Sequence, residues 1–220
     1  MTYLVEKPDA STRPGATRLL MAEGYAEVGF IETYLATLQT PINQVILTCF
    51  KGVANLAQSV RVMRKVLDPG EGAGRFGRVG VFADAEQNPA GRLDAVVDSA
   101  DQFGFGAVSQ NLRQTNFCDA GQRRFAFHLA PNNVGAGMIE DLVAAEIAGS
   151  SIAQCLTDYR ACVLAADAMN LSSKAQAQIF ILTKRNSDAA GLGRAFQDGI
   201  LDVMHPAYAN FRDAINRLVQ

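Results

Sequence analysis

Residues 18–24 read RLLMAEG, a short apolar run that stops at a glutamate and a glycine. An apolar run of this length without polar alternation is typical of a strand that is covered on both faces, as in a parallel sheet. The same arrangement recurs at residues 78–86, which read RVGVFADAE. Two apolar runs that each end in a carboxylate predict strands with acidic side chains at one edge of a sheet.

Helices alternate with strands along the first two thirds of the chain. Further strands are predicted at residues 45–50 and 124–130, and apolar residues at helical spacing follow each strand. Such alternation indicates parallel βαβ units with right-handed crossovers. We therefore predict an α/β fold, with a parallel-type sheet flanked by helices.

The C-terminal third is mainly helical. Helices are predicted at residues 152–169, 172–184 and 211–219. A chain of 220 residues lies within the usual range for one domain. We expect a single domain over residues 1–220, in which residues 150–220 form either a helical cap on the sheet or a small subdomain.

The composition is that of a globular protein, with 49% hydrophobic and 19% charged residues. No apolar run reaches the roughly 18 residues that cross a bilayer, and no signal peptide is visible, so we expect a cytoplasmic protein without a membrane partner. The 20 basic and 22 acidic residues give a net charge of -2. This balance lacks the strong positive field of a dedicated nucleic-acid binder.

Histidine and cysteine usage restricts the metal chemistry. His128 and His205 are the only histidines, and the four cysteines include no CxxC pair. These counts exclude a multi-histidine centre and argue against a zinc ribbon or a thioredoxin-like redox centre, so oxygen atoms must hold any metal. We expect reduced, mostly buried thiols, and we expect His128 to be a core residue with satisfied hydrogen bonds.

Three carboxylates form the strongest candidate site. Glu23 and Asp84 each follow the last apolar residue of a predicted strand, and Glu86 lies two residues beyond Asp84. The carboxyl ends of parallel strands share one edge of a sheet, so we expect the three side chains to face the same space. Crowded carboxylates repel one another, and a divalent cation such as Mg²⁺ stabilises them. The alternative is that they are solvated acids at strand ends, and spacing alone favours that alternative.

The motifs extend over most of the chain. Residues 19–24, followed by Glu27, resemble the opening glutamate motif of TOPRIM domains, and residues 79–86 resemble their strand and acidic pair. DAEQNP at 84–89, PNN at 131–133 and GMIEDL at 137–142 resemble an uncharacterised bacterial TOPRIM-like family of unknown function. The resemblance implies a TOPRIM-like fold.

The resemblance also implies roles for individual residues. It marks Glu23 as the family's glutamate, catalytic and metal-binding, and Asp84 and Glu86 as an acidic pair that binds magnesium, with manganese as the alternative ion. Further candidate ligands are Glu27, Glu140 and Asp141. The sequence departs from the usual pattern at Glu86, where an aspartate is common, and at Tyr25, where a lysine often follows the glycine.

The activity implied is magnesium-dependent hydrolysis of a phosphodiester, or a related phosphotransfer, on nucleic acid. Two alternatives remain open. One is a non-catalytic interaction or regulatory module that retains the fold, which the net acidity and Tyr25 favour. The other is an enzyme that acts on a small phosphorylated metabolite.

Weaker signals each have an ordinary structural explanation. Lys174, early in a predicted helix, is a candidate catalytic cation that could reach an anion, and the alternative is a surface lysine. Glu140 and Asp141 start a predicted helix, where acids favourably meet the helix dipole. The GxGxxG string at 72–77 precedes a strand instead of following one, which indicates a loop. Two basic pairs, at 123–124 and 184–185, could contact phosphates or form a solvated face.

Overall fold

The computed structural model describes residues 3–9, 11–67, 75–167, 171–184 and 191–220. Within these residues, five strands form one sheet in the order β2-β1-β3-β5-β4. The strands are β1 (Arg18–Ala22), β2 (Val45–Cys49), β3 (Arg78–Asp84), β4 (Phe117–Ala120) and β5 (Arg123–Ala130). Strand β1 pairs in parallel with β2 and β3, and β3 pairs in parallel with β5, whereas β4 pairs antiparallel with β5.

Eight α-helices accompany the sheet in the described part of the chain. They are α1 (Tyr25–Thr37), α2 (Leu56–Leu67), α3 (Pro89–Ala100), α4 (Ile139–Ala148), α5 (Ala153–Asp167), α6 (Ser173–Lys184), α7 (Leu192–Gln197) and α8 (Ala209–Val219). The predicted α/β fold with a mostly parallel sheet is confirmed. Strand β4 and helix α7 were not predicted, because four and six residues are too few to display a period.

Both faces of the sheet are buried, which explains the unbroken apolar runs in its strands. Leu20 and Phe82 point into one hydrophobic core, to which α1, α4 and α8 contribute. Leu19 and Val81, on the opposite face, point into a second core with α2 and α3. Successive side chains of a strand alternate between faces, so each strand supplies both cores.

The C-terminal helices belong to the first of these cores. Phe211 of α8 stacks on Phe82 of β3, with ring centroids 5.2 Å apart, and on Phe30 of α1 at 4.4 Å. Helix α7 crosses α1 where Gly193 meets Gly29, and a Cβ atom on either glycine would overlap the backbone of the other helix. The close crossing holds α7 against the N-terminal half of α1.

Cysteine burial differs from the expectation. All four thiols are free, but Cys155 and Cys162 are exposed on α5, whereas Cys118 is buried and Cys49 is half-buried. The prediction of mostly buried thiols was therefore wrong for α5, of which Leu156 is the one buried apolar residue among the described side chains. No helix in the described parts of the chain combines the length and apolar character needed to cross a membrane.

Several sequence features lie outside the described residues. They are residues 72–74 of the GxGxxG string, the helix-ending residues Pro69 and Gly70, the predicted helix end at 168–169, and Arg185 of the second basic pair.

Candidate functional site

The acidic site lies at the carboxyl edge of β1 and β3. These strands are adjacent and in register, with Ala22 opposite Phe82, so Glu23 and Asp84 emerge side by side. The Glu23 carboxylate accepts hydrogen bonds from the backbone N–H of Asp84 (3.1 Å) and of Val53 (2.9 Å). The backbone around the strand ends therefore fixes the position of Glu23.

Asp84 connects the sheet to the start of α4. Its Oδ1 accepts a hydrogen bond of 2.8 Å from the backbone N–H of Ile139, the first residue of that helix. Burial raises the pKa of Asp84 to about 7; the bond from Ile139 opposes this rise, whereas repulsion by Glu140, Glu23 and Glu86 adds to it. Asp84 is thus a carboxyl group that gains or loses its proton near neutral pH.

Glu27 is a second carboxyl with a raised pKa. It lies in the first turn of α1, is 3% exposed, and its Oε2 accepts a hydrogen bond of 2.9 Å from the backbone N–H of Gly24. Burial, together with the charges of Asp84 and Glu23, raises the pKa of Glu27 to about 8, against the lowering effect of its backbone hydrogen bonds. A helix-capping position alone does not require such deep burial of an acid.

A cleft of about 930 Å³ opens over these carboxyl groups. Its acidic walls include Glu23, Glu27, Asp84 and Glu140, the last of which is 8% exposed. Among the described residues, the cationic side chains that line the cleft are Lys51, Lys174 and Arg194. The cleft therefore presents a group of carboxylates with cations around it.

Lys51 and Lys174 approach the cleft from separate elements. Lys51 follows β2, is exposed, and its ammonium group lies 5.9 Å from the centroid of the Tyr25 ring. Lys174 is exposed in the first turn of α6. Helix α7, held by its crossing with α1, contributes Leu192 and Gly193 to the same cleft.

Glu86 points elsewhere. Its backbone has a φ of +49° and forms hydrogen bonds in both directions with Gly137, of 2.6 and 2.8 Å. Its carboxylate pairs with Arg92, at 2.6 Å between Oε2 and Nη2, and is half exposed. Glu86 is not among the residues that line the cleft, although its charge contributes to the raised pKa of Asp84.

Asp141 acts within the structure as a helix cap. Its Oδ2 accepts a hydrogen bond of 2.9 Å from the backbone N–H of Met138, and its Oδ1 accepts one from the Ser173 hydroxyl of α6. Asp141 does not line the cleft. The structure thus separates the neighbouring acids: Glu140 lines the cleft, and Asp141 joins α4 to α6.

Arg124, of the first basic pair, lies apart from the acids. Arg124 is opposite Arg78 at the start of its strand, whereas Asp84 lies at the other end of β3. Arg124 forms a bidentate ion pair with Asp119, at 2.6 and 2.9 Å. Lys184 lies over the ring of Phe180, at 5.7 Å from its centroid. Arg124 is therefore at the opposite edge of the sheet from the cleft.

Two side chains outside the predicted site have unusual environments. Arg92, 8% exposed, lies in the first turns of α3, close to Glu23 and Glu86. A cation at a helix N-terminus opposes the helix dipole, so an arginine near the start of a predicted helix is the signal by which the sequence could have indicated Arg92. His128 is buried, as predicted, but neither ring nitrogen has a hydrogen-bond partner in the part of the chain that the structure describes, where the expected hydrogen bonds are therefore not formed.

As the side chains stand, no three His, Cys, Asp or Glu residues of the described ranges converge in an arrangement that could hold a metal ion. Glu23, Glu27 and Asp84 each use carboxylate oxygens to accept backbone hydrogen bonds. All three line one cleft, and the charge of Glu23 contributes to the raised pKa values of both Asp84 and Glu27.

A family model described as "Protein of unknown function (DUF3226)" matches residues 17–220. The chain belongs to this family. The DUF3226 match begins immediately before β1 and includes every strand of the sheet, the acidic residues of the cleft and the C-terminal helices. Comparison with curated proteins and comparison with solved structures each give no significant match.

Proposed function

We propose that this chain is a TOPRIM-like protein that carries out magnesium-dependent hydrolysis of phosphodiesters, or a related phosphotransfer, on nucleic acid. The observation that carries the proposal is that a single cleft, at the carboxyl edge of a mostly parallel sheet, is lined by five described carboxyl side chains: Glu23, Glu27, Glu32, Asp84 and Glu140. Ligands of open α/β sheets bind at this edge.

The charge of the carboxyl groups supports the proposal of a cation in the cleft. Burial and mutual repulsion raise the pKa values of Glu27 and Asp84 to about 8 and about 7, so near neutral pH protons compensate the crowded charge. A divalent cation compensates the same charge and competes with those protons. Carboxylate oxygens are the ligands that Mg²⁺ prefers, and Mn²⁺ accepts the same ligands.

Because the carboxylates do not converge as they stand, coordination of a cation would require their side chains to rotate. We assign Asp84, Glu27 and Glu140 as its ligands, with Glu23 held beside them by the backbone N–H groups of Val53 and Asp84. A magnesium ion bound there neutralises charge on a phosphodiester and lowers the pKa of an attacking water.

The lysines of the cleft suit an anionic substrate. Lys51 and Lys174 are exposed, lie on separate elements and line the same cleft as the acids. We assign both to contact substrate phosphates, where an ammonium group acts as a point charge. This assignment gives Lys174 a role in substrate binding and leaves the reacting water to the acidic side of the cleft.

Nuclease assays test the proposal. Single- and double-stranded DNA and RNA should be incubated with the protein in Mg²⁺ or Mn²⁺, alongside Asp84→Asn. The matched control is Asp94→Asn, which changes an exposed aspartate that pairs with Arg113 outside the cleft. We expect cleavage by wild type and by Asp94→Asn, and at least a hundredfold loss in Asp84→Asn. Inactivity of the wild type on all four substrates refutes the nuclease assignment.

The volume of the cleft favours a second candidate, an enzyme that acts on a small phosphorylated metabolite. About 930 Å³ lies at the upper end of the roughly 300–1,000 Å³ range of small-molecule sites. Thermal unfolding separates the candidates, because a ligand that binds the folded state raises the melting temperature. Stabilisation by nucleotides but not by oligonucleotides supports the small-molecule enzyme. Stabilisation without turnover indicates a non-catalytic module.

A further inference from the structure

Arg92 occupies a position that is unfavourable for a cation by itself. It lies in the first turns of α3, near the positive end of the helix dipole, and is 8% exposed. A guanidinium that is removed from water and placed at this end of a helix requires nearby negative charge. The acids that surround Arg92 must therefore supply this negative charge.

These acids are two residues of the sheet edge. One guanidinium nitrogen, Nη2, lies 2.6 Å from Glu86 Oε2. The other, Nη1, lies 3.6 Å from Glu23 Oε1, is buried, and has no hydrogen-bond partner among the residues that the structure describes. Arg92 thus places positive charge directly against Glu23 without a hydrogen bond from Nη1 to any described group.

The backbone fixes Glu86 on the side of Arg92. A φ of +49° and the two hydrogen bonds with Gly137 determine the course of the chain there. Neither Glu86 nor Arg92 lines the cleft, whereas Glu23 does. Glu23 therefore lies between the cleft on one side and the guanidinium on the other.

We propose that Arg92 is a positioning residue, a fixed internal counter-ion that limits how strongly the acidic cleft attracts a divalent cation. This inference rests on the proposed function, namely that the cleft binds such a cation. Arg92 attracts Glu23 from behind and repels a cation in the cleft. Glu86 moderates both effects, because it neutralises part of the charge of Arg92. Loss of the arginine charge then strengthens cation binding, whereas loss of a residue needed for the fold weakens it.

Titration of Mn²⁺ into the full chain, followed by electron paramagnetic resonance of the free ion, tests whether loss of the arginine charge raises or lowers the affinity for the cation. Arg92→Gln should bind Mn²⁺ more tightly than wild type, by about tenfold for an assumed separation of about 6 Å in water between the guanidinium and the ion. Arg92→Lys keeps the charge and should stay within about threefold of wild type. Arg113→Gln removes the same charge from an exposed pair with Asp94 and is the matched control, with unchanged affinity expected.

Glu86→Gln provides a second variant, which should disturb the fold less than a change at Arg92 because the Glu86 side chain is half exposed. It leaves Arg92 less neutralised and should weaken Mn²⁺ binding by about threefold or more, and the double variant Arg92→Gln/Glu86→Gln should bind at least as tightly as wild type. Equal or weaker binding by folded Arg92→Gln, or unchanged binding by Glu86→Gln, overturns the inference about Arg92 but leaves the proposed function standing. Absence of Mn²⁺ binding in wild type and in every variant overturns the proposed function and this inference with it.

Discussion

Glu27→Gln should make the protein more stable near neutral pH while it removes cation binding. The glutamine keeps an oxygen that can accept the hydrogen bond from the Gly24 N–H, now 2.9 Å long, but it cannot ionise. In the folded protein the pKa of Glu27 is raised from 4.5 to about 8. Ionisation of this carboxyl is thus easier in the unfolded chain than in the folded one.

The sign and size of the effect follow from these two pKa values. Because the folded pKa is raised, the stabilisation associated with the protonated carboxyl is fully present below about pH 4.5 and is lost as the pH rises through 8. Each pKa unit corresponds to about 1.4 kcal/mol, so the free energy of unfolding of wild type should fall by about 3 kcal/mol between pH 4 and pH 7 on account of this group. Glu27→Gln should not show that loss.

Urea denaturation at pH 4 and pH 7, followed by circular dichroism, measures the difference. The stability of Glu27→Gln relative to wild type should increase by about 3 kcal/mol from the lower to the higher pH. The measurement at pH 4 is the internal control for packing changes. Magnesium in excess should stabilise wild type and not the variant. A pH-independent difference between the proteins refutes the reasoning on Glu27.

Three further predictions concern His128, the pH dependence of cation binding in the cleft, and the α1–α7 crossing. Burial lowers the pKa of His128 from 6.5 to about 3, so the contribution of this group to stability is present above pH 6.5 and is lost as the pH falls. Relative to wild type, the free energy of unfolding of His128→Phe should therefore rise by about 1.4 kcal/mol for each pH unit below 6.5, as measured by denaturation at pH 5 and pH 7. The affinity for Mn²⁺ should rise between pH 6 and pH 8, because Asp84 and Glu27 must lose protons to bind the ion. Calorimetry in two buffers should detect the released protons, and a pH-independent affinity contradicts the assignment of these two residues as ligands. Gly193→Ala should lower the free energy of unfolding by about 1–3 kcal/mol in chemical denaturation, since its Cβ would overlap the carbonyl oxygen of Tyr25. A variant as stable as wild type would show that α1 and α7 can move apart at little energetic cost.

The sequence predicts the sheet well because the sheet is buried on both faces. Each of the strands β1, β2, β3 and β5 appears as a continuous apolar run, and the predicted starts of β1 and β3 agree with the structure. Strand β4 escapes prediction because it is four residues long and lies at the edge of the sheet. Local periodicity does not report a short strand whose position depends on pairing with its neighbour.

The acidic edge is predictable for a similar reason, whereas the directions of its side chains are not. Glu23 and Asp84 follow adjacent parallel strands, so topology alone places them side by side. The direction of the Glu86 carboxylate depends on a left-handed backbone conformation and on Arg92, neither of which follows from a DxE motif. Cleft residues such as Lys51 come together through tertiary contacts that periodicity cannot report.

Anomalous diffraction from a crystal grown or soaked with Mn²⁺ locates the ion independently of activity and so tests the cation site in the cleft. We expect a single strong manganese peak there, within coordination distance of carboxylate oxygens of Asp84, Glu27 and Glu140. A fully soaked crystal with no peak in that cleft, or with manganese bound only at other carboxylates, contradicts the proposed cation site.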